Sequence, residues 1–153
     1  MSKELTQEVL GNKNIDVAFI NITQTQLNKA IIDATKPVRE LLKRANIHDY
    51  ATQEQGGHAK VTKRLFYLED MHTFPSEERK AKNEGIEEKV SLYKPPTKKG
   101  DPRIWLTNLK KHVVAGDVLA IITEGTELYA FNVENITLVK AFIEQNPFLV
   151  KTA

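Results

Sequence analysis

Alternation of apolar and polar positions predicts a chain built mainly from short strands. Six runs have the length and pattern of strands, and they span residues 15–20, 60–68, 86–93, 104–106, 117–122 and 127–133. The last two flank a Thr-Glu-Gly-Thr turn, where Gly125 indicates a β-hairpin. The run 60–68 carries cations near its start and apolar residues later, so we expect it to begin at an exposed basic end and enter the core.

Helical signals fall between these runs. Thr23 and Gln26 have the spacing of a capping box, and helical apolar spacing continues to residue 34. Pro37 either kinks this helix or begins a second one. Further helical segments are predicted at residues 76–85, 109–113 and 136–145. Because helices and strands alternate irregularly, the sequence predicts an α+β fold, with five or six strands in a largely antiparallel, open barrel.

Composition narrows the class of protein. A length of 153 residues favours one domain over residues 1–153. The absence of cysteine excludes disulfides, a thiol nucleophile and a thiolate zinc site. No apolar run approaches the roughly 18 residues of a membrane span, and no signal peptide is recognisable, so we expect a cytoplasmic protein. The four histidines lie in no metal motif, and we expect no metal or other cofactor.

Positive charge is clustered, although the net charge is only +2. Segment 36–44 has four cations and one acid, Lys60, Lys63 and Arg64 form a second cluster, and segment 94–111 has six cations and one acid. The acids concentrate elsewhere. Such segregation is typical of a protein that contacts a polyanion through one face.

The third cluster begins with a rigid basic loop. Three prolines and a glycine between Lys94 and Trp105 exclude a helix interior or a central strand. We expect Lys94, Lys98 and Lys99 of this loop to face a phosphate backbone, together with Arg103. Ile104 and Trp105 are expected to anchor the loop in the core.

A second loop, residues 53–60, combines amides with glycines. Glutamine and arginine side chains read base edges, so Gln53, Gln55, Arg64 and Arg103 are our candidates for base contacts. Gly56 and Gly57 permit positive φ or a close approach of the backbone to phosphate. The remaining candidate contacts to DNA in and after this loop are His58, Lys60 and Lys63.

Other chemistries remain open. Asp70 followed by Glu87-x-Lys89 loosely matches a Mg-dependent nuclease core of the PD-(D/E)xK type. A reader of modified or flipped bases would instead use aromatic side chains as a cage, and the candidates are Phe66, Tyr67, Tyr93 and Trp105. An RNA-binding or protein-binding adaptor is a further alternative.

Segments 55–58 (Gln-Gly-Gly-His), 92–105 (from Leu-Tyr-Lys-Pro to Arg-Ile-Trp) and 116–121 (Gly-Asp-Val-Leu-Ala-Ile) carry a resemblance. They resemble N-terminal DNA-recognition domains of bacterial restriction endonucleases of the EcoRII, MvaI/BcnI and LlaJI types. The resemblance implies a B3-like DNA-binding pseudobarrel, in which two arms grip the major groove. Residues 53–64 would form one arm, and residues 94–103 are the candidate for the second.

The sequence therefore favours a sequence-specific double-stranded DNA-binding module that targets a restriction system used in phage defence. Cleavage would belong to a nuclease or motor domain of the same system, and we expect no hydrolysis by this chain alone.

Overall fold

The computed structural model describes residues 2–12, 14–56, 60–68, 86–95, 101–137 and 139. Its helices are α1 (Ser2–Gly11), α2 (Gln24–Lys29) and α3 (Lys36–Arg44). Its strands are β1 (Val17–Asn21), β2 (Ile31–Asp33), β3 (Val61–Tyr67), β4 (Ile86–Tyr93), β5 (Arg103–Leu106), β6 (Val118–Glu124) and β7 (Glu127–Asn132). Short 3₁₀ turns lie at Tyr50–Thr52, Leu109–Lys111 and Val133–Asn135.

The strands form one curled, open sheet in the order β1-β6-β7-β3-β4-β5-β2. Every neighbouring pair is antiparallel except β3 and β7, which run parallel. The α+β class and the largely antiparallel sheet are thus confirmed. The sheet has one strand more than the upper number expected, because β2 was not predicted.

The two faces of the sheet pack differently. One face, here the α3 face, buries side chains such as Leu65, Leu92 and Ile104 in one cluster with Leu41 and Leu42 of α3. The opposite face, here the α1 face, is buried at β6, β7 and the end of β3 by a second cluster, which includes Val9 and Leu10 of α1. Because side chains alternate between faces along a strand, each position of β3, β4 and β5 is assigned to one face by this division.

The helix around residues 23–34 is shorter than its apolar spacing suggests. The predicted capping box of Thr23 and Gln26 is present, with both of its hydrogen bonds. The helix ends at Ala30, whose φ of 58° is left-handed, and the following residues form β2. The predicted continuation to residue 34 is therefore wrong: Ile32 is buried by pairing opposite Ile104 of β5, a contact distant in sequence. Of the alternatives for Pro37, the second is confirmed, since this proline begins α3.

The β6–β7 hairpin is confirmed, and Gly125 occupies its turn with a φ of 60°. The strands around residues 15–20, 60–68, 86–93 and 104–106 and the helical turn after residue 108 are also present. The predicted helix 76–85 and most of the helix 136–145 lie outside the described residues. No described helix has the length and apolar character that crossing a membrane requires.

A polar cluster interrupts the apolar core on the α3 face. The Nε2 atom of His112 lies 3.1 Å from a carboxylate oxygen of Glu88, and these side chains are only 5% and 12% exposed. Asn108 donates a 3.0 Å hydrogen bond to the other oxygen of Glu88. The His112 ring stacks on Tyr67 at 3.7 Å between centroids. Glu88 thus joins β4 to the segment that follows β5.

Replacing Glu88 with alanine is expected to lower the free energy of unfolding by about 2 to 3 kcal/mol, because Asn108 and His112 would lose their shared acceptor in a largely buried site. Glu87→Ala is the matched control, since Glu87 is the preceding residue of β4 and lies exposed on the other face. We expect the control to change stability by about 0.5 kcal/mol or less. Urea unfolding of both variants measures the difference, and equal losses would contradict a structural role for this cluster.

Candidate nucleic-acid interface

The two loops singled out by the sequence leave the same end of the sheet. β3 begins at this end of the sheet and the antiparallel strand β4 finishes there, so we call it the loop end. The backbone N–H of Gly56 donates a 2.8 Å hydrogen bond to the carbonyl oxygen of Lys94. The start of segment 53–60 and the start of segment 94–103 are therefore side by side.

Gly56 shows why this loop needs a glycine. Its φ of 122° lies in a region that side-chain-bearing residues rarely adopt, as the sequence predicted. The residue is buried, and its N–H is already bonded to Lys94, so its role here is to fix the loop. Four candidate contacts lie outside the described residues: Gly57, His58, Lys98 and Lys99.

The side chain of Gln53 also makes hydrogen bonds within the protein. Its side-chain nitrogen donates to the carbonyl oxygen of Leu92 at 2.8 Å, and its side-chain oxygen lies 3.0 Å from Nε2 of His48. A base contact by this amide would break both bonds. Gln55, two residues further, is exposed.

Strand alternation divides the second basic cluster between the two faces. Lys63 lies on the α3 face, in register with Val90, whereas Arg64 lies on the α1 face, in register with Lys89. Lys60 precedes β3, and its ammonium approaches aromatic rings of the α1 face. Lys60 is therefore separated from Lys63, whereas Lys63 and Arg64 both border one small cleft together with the acid Glu127.

On the α3 face, the loop end opens into a cleft of about 660 Å³. One lysine, two acids and six other residues line it: Lys43, Asp49, Glu54, Asn46, Ile47, His48, Thr52, Gln53 and Val61. A smaller neighbouring cleft, lined in part by Asn46, Lys63 and Thr126, continues it toward the start of β7. The concave surface therefore runs from the end of α3 across the start of β3.

His48 lies in this cleft near Asp49 and near lysines from three segments of the chain. Burial holds the pKa of His48 below its ordinary value of 6.5, and the positive charges of Lys63 and Lys94 lower it further, against an opposing hydrogen bond with Gln53. Lys43 lines the same cleft. Within the described ranges, no carboxylate lies within 4.0 Å of the ammonium groups of these lysines.

Arg64 is held in a different way. Its guanidinium lies 3.1 Å from Glu127 and 3.8 Å from Glu87, and it also covers the ring of Phe66. These exposed ion pairs are individually weak, but any base contact by Arg64 would have to compete with two carboxylates.

Arg103 begins β5 at the loop end, where its backbone pairs with Tyr93 and Asp33. The buried hydroxyl of Tyr50 donates a 2.9 Å hydrogen bond to the Arg103 carbonyl oxygen. The Nε atom of Arg103 is buried and has no hydrogen-bond partner among the described residues. Its side chain lines an open cleft with residues of α2 such as Gln26 and Lys29.

The expectation that Trp105 anchors the basic loop in the core is wrong. Ile104 is buried as expected, but Trp105 is 46% exposed on the α1 face. The reason is strand alternation, because Ile104 and Leu106 both face the core and the residue between them must face the other way. Lys60 places its ammonium 4.9 Å from the centroid of the Trp105 ring and 5.3 Å from that of Tyr93. Of the remaining aromatic candidates, Phe66 and Tyr67 are buried.

The cations of the third basic cluster, residues 94–111, lie at opposite ends of β5. Arg103 lies at the loop end, whereas Lys110 and Lys111 follow the opposite end of the strand. Of the nuclease candidates, Glu87 and Lys89 are exposed on the α1 face, and Asp70 lies outside the described residues. In the part of the chain that the structure describes, no three acidic or histidine side chains are grouped as a metal site would require.

Most residues of the cleft were not among the predicted contacts, and the two with ionisable basic side chains are Lys43 and His48. Lys43 is in the last turn of α3, and His48 comes four residues after the end of that helix at Arg44. The basic cluster 36–44 was visible in the sequence, but its link to the other loops depends on how α3 packs across the sheet. No family model matches this chain, and searches among curated proteins and solved structures likewise return no match.

The environment of His48 predicts a pH dependence of stability. Because its pKa is lower in the folded protein, the unfolded chain binds the proton more readily. The contribution of His48 is therefore complete above about pH 6.5 and is lost as the pH falls below that value. Urea unfolding at pH 7.5 and 5.5 should show a smaller pH-dependent loss in His48→Gln than in the unchanged protein.

A direct titration checks the cause. In Lys63→Met, removal of a nearby positive charge should raise the pKa of His48, as measured by NMR. Lys110→Met, beyond the far end of β5, should leave that pKa unchanged. The same shift in both variants would contradict convergence of the lysines on this cleft.

Proposed function

We propose that this chain binds double-stranded DNA through the loop end of its sheet. The observation that carries the proposal is that Lys43 and Lys63 line neighbouring clefts on the α3 face, with Lys94 near enough to act on His48. Lysines without carboxylate partners among the described residues suit phosphate, because counterions are released when phosphates take their place. Two such lysines on one concave surface favour an extended polyanion that contacts them and avoids the acids Asp49 and Glu54, which also line the larger cleft.

Hydrogen bonds hold the two loops of the loop end in place, which also favours an interface. The bonds from Gly56 to Lys94 and from Gln53 to Leu92 hold the two segments together before any ligand binds. Such preorganisation lowers the entropy cost of association. We assign a base contact first to Gln55, whose amide is exposed at the loop end, and treat Gln53 as a residue that positions the loop. Arg103 faces the opposite side of β5 from the core residue Ile104 and lines the cleft beside α2, so it is not part of this surface.

The B3-like pseudobarrel and the restriction system belong to the same proposal. A curled, open sheet of seven strands is compatible with such a pseudobarrel. The resemblance of segments 55–58 and 92–105 to restriction-enzyme domains supports a targeting role. In this proposal a partner nuclease or motor domain performs the cleavage, and Lys98 and Lys99 add phosphate contacts.

Selection from a randomised duplex pool at two salt concentrations, with and without Mg²⁺, tests the proposal. We expect enrichment of a sequence motif without cleavage, and a logarithmic dependence of affinity on salt with a clearly negative slope. A slope near zero would contradict phosphate contact. Cleavage that requires Mg²⁺ and is lost in Asp70→Ala would favour the nuclease instead.

Charge-matched variants locate the interface. Lys63→Gln combined with Lys94→Gln should make the salt slope less negative by about two, because each lost phosphate contact removes roughly one released counterion. The control, Lys110→Gln with Lys111→Gln, removes the same charge at the other end of β5 and should leave the slope nearly unchanged. Equal effects of the two double variants would exclude the loop end as the specific contact surface.

A further inference from the structure

The α1 face carries an exposed aromatic ring that the duplex interface does not use. Trp105 is 46% exposed, and the other exposed large apolar side chains of the described residues are Leu5 and Val114. Tryptophan offers the largest flat apolar surface of any side chain, so its exposure on a regular strand leaves a substantial stacking surface in water.

Trp105 has small neighbours on its β4 side, whereas Ile31 of β2 is in register with it on the other side. In register across three adjacent strands, Thr62 faces Ser91 and Ser91 faces Trp105. Both small residues belong to the α1 face, and their side chains cannot cover an indole ring. The apolar cluster that includes α1 buries this face over β6 and β7, with Phe66 at the end of β3. The surface beside Trp105 is therefore partly open on its β4 side.

A cation already lies over the ring of Trp105. The ammonium of Lys60 lies 4.9 Å from the Trp105 ring centroid and 5.3 Å from that of Tyr93. No described carboxylate lies within ion-pair distance of Lys60. Contact with two rings limits the positions of a flexible side chain and leaves its charge unneutralised.

An aromatic ring, a cation and small polar neighbours on a sheet surface are the elements with which proteins hold unpaired nucleotides. The base stacks on the ring, and the adjoining phosphate contacts the cation. A paired base inside a duplex is already stacked on both sides and cannot present its face to Trp105.

We propose that Trp105, with Tyr93 and Lys60, forms a stacking site for an unpaired nucleobase. The proposal rests on the proposed function in that the ligand is a nucleic acid, but it uses the other face of the sheet. The unpaired base has two possible sources, a single strand or a nucleotide extruded from a duplex, and both present the same chemistry.

Intrinsic fluorescence provides the first test, because Trp105 is the only tryptophan of the chain. Titration with a ten-nucleotide oligothymidine should quench its emission as the base stacks on the indole. Binding of the same oligonucleotide without any change in emission would overturn the proposal, and so would a failure of both oligothymidine and the bulged duplex described below to bind.

Affinity measurements with labelled oligothymidine provide the second test. Trp105→Leu keeps an apolar side chain but loses the ring, and it should weaken binding about ten-fold, whereas Trp105→Phe should retain most of the affinity. Val114→Ala, which alters an exposed apolar residue elsewhere, is the matched control and should bind normally. Thermal unfolding establishes that all three variants are folded, as expected for exposed positions. Equal affinity of Trp105→Leu and the control would refute the stacking site.

Two duplexes separate this inference from the proposed function. One is perfectly paired, and the other carries a single bulged thymine. If oligothymidine does not bind, quenching by the bulged duplex identifies an extruded base as the source, and quenching by both probes identifies unpaired bases generally. The perfect duplex can bind in a way that depends on Lys63 and Lys94 while Trp105 contributes to the binding of no probe. That result would support the duplex interface and reject the stacking site.

Discussion

The position of β3 between β4 and β7 is the constraint on which the rest of the structure depends. β3 pairs with β4 over all seven of its residues and also makes the parallel pairing with β7 that joins the two antiparallel parts of the sheet. A slip of one residue in this register would exchange the faces of Lys63 and Arg64 and would bring Leu65 out of the core. The strand pairing that joins the two parts of the sheet thus also decides which cations face the cleft.

Local patterns anticipated much of this arrangement but not all of it. Alternation of apolar and polar residues with a period of two predicted β3, β4 and the β6–β7 hairpin, and the capping box at Thr23 predicted the start of α2. These signals lie within a few residues of the structure that they specify. β2 was missed because its three residues are ordered by β5, more than seventy positions away. Trp105 was misplaced by residue type, although the alternation of Ile104 and Leu106 already implied that it faces outward.

The candidate interface was less accessible to sequence reasoning than the fold. Clusters of charge along the chain are not clusters in space: strand alternation separates Lys63 from Arg64, and the length of β5 separates Arg103 from Lys110. Ion pairs distinguish these cations further. Arg64 lies between two carboxylates, whereas Lys63 has no carboxylate within ion-pair distance among the described residues. The polar loop 53–56 was found correctly, but its hydrogen bonds use Gln53 and Gly56 for support.

The parallel pairing of β3 with β7 also has a consequence for how the surface is assembled. The cleft beside Lys63 is lined by Thr126 and Leu128 at the start of β7, so it spans two segments that are about sixty residues apart in the chain. Closing so long a loop costs more entropy than forming either neighbouring hairpin. A polyanion that contacts both sides of this junction would bind only the assembled sheet and would stabilise the pairing of β3 with β7 by mass action. Such binding would link recognition thermodynamically to the completion of the sheet at this junction.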